Sequence, residues 1–297
     1  MPTIAILGAT GMLARPVIRR LVERGITVRA LSRNADKARR LLPPACDCRT
    51  ADLTSADSIA RAIDGCDVLH INLSNPQSPR APDPDLVGTG NAVIAARVAG
   101  VTRLLRISAI GVTPGDPWWV IQRKAQADAA VTESGIPFTI FRPSWFMESL
   151  PLFLVGPLLL HMHTPMTTWW IAGDDYARQF VAALDNPAAH NRVYDIQGPT
   201  PLTMRDAIRQ FAAAWRPRPF IVPMPAVARR TMAVAITPLR YLTDLMDYYR
   251  RAEMSFTAQP AWDDLGRPTM TIADYARAAR ASNHVPRKER NAVHTHP

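Results

Sequence analysis

Lysine is nearly missing from this 297-residue chain: Lys37, Lys124 and Lys288 are the only three, so 32 of its 35 basic residues are arginine. Against 25 acidic residues the formal net charge is +10. The arginines are scattered through amphipathic segments, and Arg250-Arg251 and Arg287-Lys288 are only local pairs, so no nucleic-acid partner is expected. Cysteine is scarce too. Cys46, Cys48 and Cys66 are an odd number without His or Cys at zinc spacing, which excludes a disulfide framework and a cysteine metal site. His161-Met162-His163 offers two histidines with no third ligand, so no metal is expected there either. A reducing, cytoplasmic compartment is expected. The most apolar run, Leu150 to Leu160, is about half of the roughly 20 residues a spanning helix needs, and Pro151 and Pro157 interrupt it, so no integral membrane segment is expected. Met1 leads straight into a strand-like run with no basic leader, and no secretory signal is expected.

What is present is a globular composition, 47% hydrophobic and 20% charged, which excludes a disordered chain. From Thr3 to Pro143 short apolar runs alternate with longer amphipathic ones. Strands are predicted at Thr3 to Leu7, Thr27 to Ser32, Val68 to Asn72, Arg103 to Ser108 and Phe138 to Arg142, with a weaker one just before Asp52. Helices are predicted at about 11–24, 35–42, 55–64, 85–99 and 118–134, where apolar residues recur three and four positions apart. Such alternation demands a parallel sheet with helices on both faces, an α/β, Rossmann-type doubly wound fold over residues 1–143.

After Pro143 the rhythm breaks. A helix is expected from Asp174 or Asp175 to Leu184, a strand at Arg192 to Ile196, a helix at Thr203 to Trp215, a strand near Phe220 to Val222, and helices at 225–250 and 272–282. Residues 144–282 therefore read as a smaller C-terminal, substrate-side lobe with return elements to the core, and 283–297 as a polar tail.

Ile4-Ala5-Ile6-Leu7-Gly8-Ala9-Thr10-Gly11-Met12-Leu13-Ala14 is a buried strand that stops at a glycine and enters a helix. Gly8 makes the tight turn, Gly11 lets backbone approach a pyrophosphate, and Ala14 lets the helix pack on the strand. Amides of Thr10, Met12 and Leu13 at the new helix N-terminus face the phosphates. This predicts a dinucleotide site, and attraction of that anion, or of a membrane surface, accounts for the positive charge.

Ser32, Arg33 and Lys37 stand at the end of the second strand, with no carboxylate before Asp36. An arginine there accommodates a 2′-phosphate, so NADP(H) is preferred, with NAD(H) possible. Asp52 and Leu53, after the third strand, are expected to close the adenine pocket, and Asp52 has an equal claim to cap the following helix. Asn72, Leu73 and Ser74 end the fourth strand beside the pyrophosphate and ribose.

Together Gly8-Ala9-Thr10-Gly11, Arg33, Asp52-Leu53, Ser108, Lys124 and Phe141-Arg142-Pro143 resemble the atypical short-chain dehydrogenase/reductases, particularly the NmrA-like, isoflavone-reductase-like group. Asp175-Tyr176-Ala177 and Leu265-Gly266-Arg267-Pro268 extend the resemblance over residues 3 to 282. It implies hydride transfer from a nicotinamide, with Ser108 facing the substrate or the nicotinamide and Lys124 at the nicotinamide ribose. In many members a tyrosine four residues before the lysine passes the proton. Here that position is Val120, which cannot.

That departure argues against ordinary ketone reduction and favours an electron-poor small-molecule acceptor, a quinone or conjugated carbonyl, whose reduced anion solvent can protonate. Lys124 and Ser108 are the candidate catalytic residues. Backbone at Pro143, Ser144 and Trp145 is expected near the nicotinamide amide, and Trp118, Trp119, Trp145, Phe146 and Met147 are expected to form an apolar acceptor pocket. The alternative is a non-catalytic NAD(P)-binding redox sensor or assembly factor. A monomer or homodimer is expected.

Overall fold

The computed structural model describes residues 2–281 apart from positions 75, 77, 163–166, 216, 226, 228–230, 232–236 and 252–253. The 283–297 tail, His163 and most of the first part of the helix expected at 225–250 lie outside the described residues.

The first half alternates as the sequence requires: β1 (Thr3–Leu7), α1 (Ala14–Glu23), β2 (Thr27–Ser32), α2 (Ala35–Leu41), β3 (Asp47–Thr50), α3 (Ala56–Ile63), β4 (Val68–Ile71), α4 (Pro84–Val98), β5 (Arg103–Ile107), α5 (Trp119–Thr132) and β6 (Phe138–Pro143). A 3-10 turn at Met147–Phe153 leads to β7 (Leu154–Val155), β8 (Leu158–Met162) and β9 (Thr167–Trp169). Then come α6 (Gly173–Asp185), β10 (Arg192–Ile196), β11 (Pro201–Thr203), α7 (Met204–Ala214), β12 (Phe220–Met224), α8 (Thr237–Arg251), α9 (Gln259–Leu265) and α10 (Ile272–Ala281).

Seven strands form one parallel sheet in the order β10-β6-β5-β4-β1-β2-β3. This is a Rossmann-type doubly wound α/β fold, with the order reversing beside β1. The central strand β1 is buried on both faces. Ile4 and Ile6 enter the cluster under α1 and α6, while Ala5 and Leu7 enter the one under α3 and α4. Fully burying each of these isoleucine and leucine side chains stabilises by about 1.5–3 kcal/mol, which is why parallel strands read as continuous apolar runs. In α1, Ala14, Val17, Ile18 and Leu21 repeat at helical spacing and are all buried.

The second half returns to the core. Strand β10 pairs with β6 as the outermost strand of the main sheet, and α6 lies over α1. Asp175 in the first turn of α6 accepts the backbone amides of Thr269 (3.0 Å) and Met270 (2.9 Å), and Gln179 donates to the Gly266 carbonyl (2.8 Å). The Gly266-Arg267-Pro268 segment is thereby tied to α6. Gly198 sits where β10 meets the β9 end, and a Cβ there would lie 1.7 Å from the Trp170 carbonyl oxygen. The short strands β7, β8, β9 and β11 and helix α9 are additions to the predicted elements. Two- and three-residue strands such as β7, β9 and β11 hold too few positions for a period to register. Among the described residues no helix is long and apolar enough to cross a membrane.

His70 in β4 is fully buried against Phe180 of α6, with Nδ1 3.2 Å from the Leu105 carbonyl. Burial, aided by the Arg106 charge, lowers its pKa to about 4 despite that hydrogen bond. The unfolded chain therefore takes up this proton first, and stability is lost as pH falls from about 6.5 toward 4. Glu148, whose carboxylate accepts the Gly173 amide, is pushed by burial up to about 7 and has the opposite slope, losing stability as pH rises through 4.5 to 7. The wild-type curve mixes the two, and His70→Phe separates them. Between pH 7 and pH 4.5, urea denaturation should show the variant gaining about 2 kcal/mol relative to wild type. A difference that does not change with pH would contradict the assignment.

Candidate functional site

The dinucleotide end is built on the β1–α1 turn. Gly8 has φ +79°, and a Cβ on it would stand 2.1 Å from the Asn72 carbonyl oxygen, so no other residue fits without moving β4. Asn72 Nδ2 reaches the Gly8 carbonyl at 3.4 Å, and the Gly11 amide donates to the same carbonyl at 2.9 Å. The Ala9 amide is spent on Leu31. No side chain caps α1, and its first turn holds no acidic residue. Thr10, Gly11, Met12 and Leu13 thus lead into a helix N-terminus that carries no side-chain cap and no acidic residue of its own, which fits a pyrophosphate. The neighbouring floor is apolar: Gly88 of α4 leaves room for Leu73 and Leu53, a Cβ there falling 2.7 Å from Leu73 Cδ1 and 3.5 Å from Leu53 Cβ. Ser74 follows as an exposed residue.

At the β2 end Ser32 and Asn34 build the turn, Asn34 Oδ1 accepting the Lys37 amide at 2.8 Å to cap α2. Asp36 is paired with Arg39 at 2.5 Å. Arg33 and Lys37 are exposed, and Arg33 makes no hydrogen bond or ion pair among the described residues. The capping role considered for Asp52 is corrected: Ser55 caps α3 by accepting the Ser58 amide at 3.1 Å. Asp52 instead accepts the Thr54 amide (2.9 Å) and hydroxyl (2.8 Å), bonds that lower its pKa. Three residues separate Asp52 from the first helical position, enough for this local turn to form.

The end of the site at β5 and α5 is a buried charge network. Arg106, fully buried in β5, donates Nε to Asp128 (2.9 Å), Nη1 to Asp85 (2.7 Å) and Thr89 (2.8 Å), and Nη2 to Asp85 (3.1 Å). Lys124 Nζ donates to Asp85 Oδ2 at 3.0 Å. Asp128, one turn after Lys124 in α5, also accepts Ser108 Oγ (3.0 Å) and Arg142 Nε and Nη2 (3.1 and 3.0 Å). Ser108 and Lys124 are thus linked through Asp128, Arg106 and Asp85. Burial alone would raise the Asp85 pKa, but the Arg106 and Lys124 charges outweigh it and hold it at about 2. Three cations face two carboxylates, leaving positive charge beside the half-buried Arg142 and the Lys124 head, favourable for an anion.

Sequence reading missed Asp85, Arg106 and Asp128. Their signal was an arginine inside the otherwise apolar Leu104-Leu105-Arg106-Ile107, since a buried guanidinium requires carboxylates nearby.

At the β6 exit the Ser144 amide donates to Ile196 (2.8 Å), its hydroxyl to the Trp169 carbonyl, and the carbonyls of Pro143 and Trp145 accept Ile110 (3.0 Å) and Ile171 (2.9 Å). Much of this turn's backbone is already used by the fold. The five apolar candidates divide. Trp118 lies 4.7 Å from Tyr248, centroid to centroid, and 6.3 Å from Tyr241, and Trp145 packs with Tyr248, Leu245, Ile110 and Met254. Trp119 turns away under the Arg123 guanidinium, at 4.8 Å. Phe146 and Met147 are buried in the packing of the core and of the lobe. Tyr241 and Tyr248, both on α8, were not foreseen. Tyr248 donates to Asp116 at 2.7 Å, and burial and that carboxylate raise its pKa.

Residues 8–187 match the NAD(P)H-binding family, and the chain belongs to it. Its likeness to atypical short-chain dehydrogenase/reductases of the NmrA-like group agrees with that membership. The chain is 26% identical over 288 residues to the NAD(P)H azoreductase of Xenophilus azovorans, covering 94% of this chain and 98% of that one. Among solved structures, the Escherichia coli NADPH-dependent quinone oxidoreductase complexed with NADPH and the Citrobacter triphenylmethane reductase complexed with NADP(H) share the fold. Each has a TM-score of 0.74, 20% identity, and coverage of 93% of this chain and 99% of that one.

Removing Asp85 strands two buried cations. Asp85→Asn should cost about 3–5 kcal/mol in urea denaturation, whereas Arg24→Ala, breaking an exposed 2.8 Å pair with Asp185, should cost under about 1 kcal/mol. Equal, small losses would show that the network does not hold the site.

Proposed function

We propose that this chain is an NADP(H)-dependent reductase that transfers hydride to a flat, conjugated, electron-poor acceptor such as a quinone. The observation that carries the reading is the pairing of a fixed, buried Lys124 with Val120 where a proton-donating tyrosine would stand. The nearby phenol of Tyr248 is committed to Asp116 and shifted away from easy ionisation. Such a site orients a nicotinamide ribose and leaves protonation to solvent, which suits acceptors whose reduced anions are stabilised. The azoreductase, quinone oxidoreductase and triphenylmethane reductase relatives support a conjugated acceptor.

Each residue has a task. Amides at the α1 N-terminus bind the pyrophosphate, and Leu53 and Leu73 pack beside the adenosine half. Arg33, with Lys37 close by, pairs with the 2′-phosphate. Lys124 hydrogen-bonds the nicotinamide ribose while Asp85 keeps its ammonium in place, and Ser108, held by Asp128, stands at the end of β5 toward the acceptor. Trp118, Trp145 and Tyr248 provide the apolar walls. The bound nicotinamide supplies the hydride.

NADPH oxidation against quinones, azo compounds, enones and simple ketones tests the reading. Wild type should turn over the conjugated acceptors and not the ketones, and Lys124→Met should lose about 10²-fold or more in kcat/KM, a typical general acid–base or positioning contribution. Arg33→Ala should weaken NADPH at least about tenfold, as expected for a charge-assisted pair, and leave NADH nearly unchanged. Tight NADPH binding without turnover of any acceptor would favour a non-catalytic sensor, which the absent tyrosine also fits.

A further inference from the structure

Strands β12, β8 and β7 form a small sheet apart from the main one. Its inner face is conventional: Leu159 is fully buried in the lobe core with Leu150, Phe153 and Trp170. The outer face is not. In register, Phe220 stands beside Leu158 and Leu158 beside Val155, so the three form one row across the sheet, with Val222 and Leu160 in the next. Phe220 is 71% exposed, Val155 51% and Val222 36%. A sheet with one wet face alternates apolar and polar residues, yet Phe220-Ile221-Val222 and Leu158-Leu159-Leu160 are apolar on both. Among the described residues, seven of the twelve exposed large hydrophobic side chains fall between 152 and 158 or between 220 and 227. Such concentration marks an interaction surface.

The charge of the adjoining sequence selects the partner. Residues 149–173 contain no Asp, Glu, Lys or Arg, and residues 207–243 contain six arginines and no acidic residue. Arg218, exposed, is two residues from Phe220. Strands β7, β8 and β12 carry no acidic residue, so a two-fold contact between copies would give Arg218 no carboxylate on them to pair with. A bilayer bearing anionic phospholipid instead offers hydrocarbon to the apolar row and phosphate to the arginines. We propose that this face docks the protein peripherally on anionic membrane. The 3-10 turn Met147–Phe153 joins it directly to Phe146 at the β6 exit, placing the docking sheet next in the chain to the proposed acceptor side.

Co-sedimentation with phosphatidylcholine vesicles, with and without phosphatidylglycerol, tests this on the full chain. Wild type should pellet with the anionic vesicles and at least tenfold less with neutral ones, and salt should weaken the binding. Replacing Val155 and Phe220 together by Ser should reduce partition about tenfold or more, from the lost apolar burial alone, with NADPH affinity unchanged as the check on folding. Arg218→Glu tests the surface separately and should also weaken binding. Wild type remaining in the supernatant with anionic vesicles, or Ser and Glu variants binding like wild type, would overturn the proposal. So would a wild-type dimer in sedimentation velocity that the Ser substitutions convert to monomer while vesicles fail to compete.

Discussion

Arg106 occupies a position in β5 where every neighbour along the strand is buried, and its guanidinium cannot lose its proton to escape the cost. Two carboxylates must therefore be delivered to it, and the fold delivers them from different helices. Asp85 comes from the first turn of α4, where the helix dipole favours a negative charge, and Asp128 comes from α5. Once they are there, their remaining oxygen capacity fixes Lys124, Ser108 and Arg142. The requirement of one buried cation thus sets the geometry of the groups at the carboxyl ends of β5 and β6.

The other end of the site follows a different logic, with shape in place of charge. Gly8 and Asn72 bring the β1 and β4 tips together so closely that side chains are excluded, and α1, with no side-chain cap and no acidic residue in its first turn, supplies positive potential from its backbone. A dinucleotide lying across the sheet would have its phosphates on backbone amides and its nicotinamide ribose on the Asp85–Lys124 pair. The lobe reaches this end from far along the sequence, with Tyr241 and Tyr248 of α8 meeting Trp118 just before α5.

The sheet strands and their helices were readable because a parallel core writes its strands as apolar runs and its helices as three-and-four spacing. The Gly8 turn was readable for the same kind of reason, since backbone approach restricts residue type locally. The lobe was less so: short strands carry too little pattern, and α8 reaches the site across more than 100 residues of chain. Asp85, Arg106 and Asp128 looked like ordinary surface charges except that Arg106 broke an apolar strand. Lys124 was singled out by family likeness, and its physical partner emerged only from the packing of α4 against α5. Phe146 and Met147 show the converse, since aromatic and sulfur side chains next to a site fill cores as readily as they line clefts.

The proposed reading requires the buried network to present Lys124 to a bound nicotinamide ribose. A crystal structure of the protein with NADPH tests it most directly. The pyrophosphate is expected on the amides of Met12 and Leu13, with Lys124 Nζ within hydrogen-bond distance of the nicotinamide ribose while still bonded to Asp85. A nucleotide bound in the cleft with Lys124 held on Asp85 and out of its reach would contradict it.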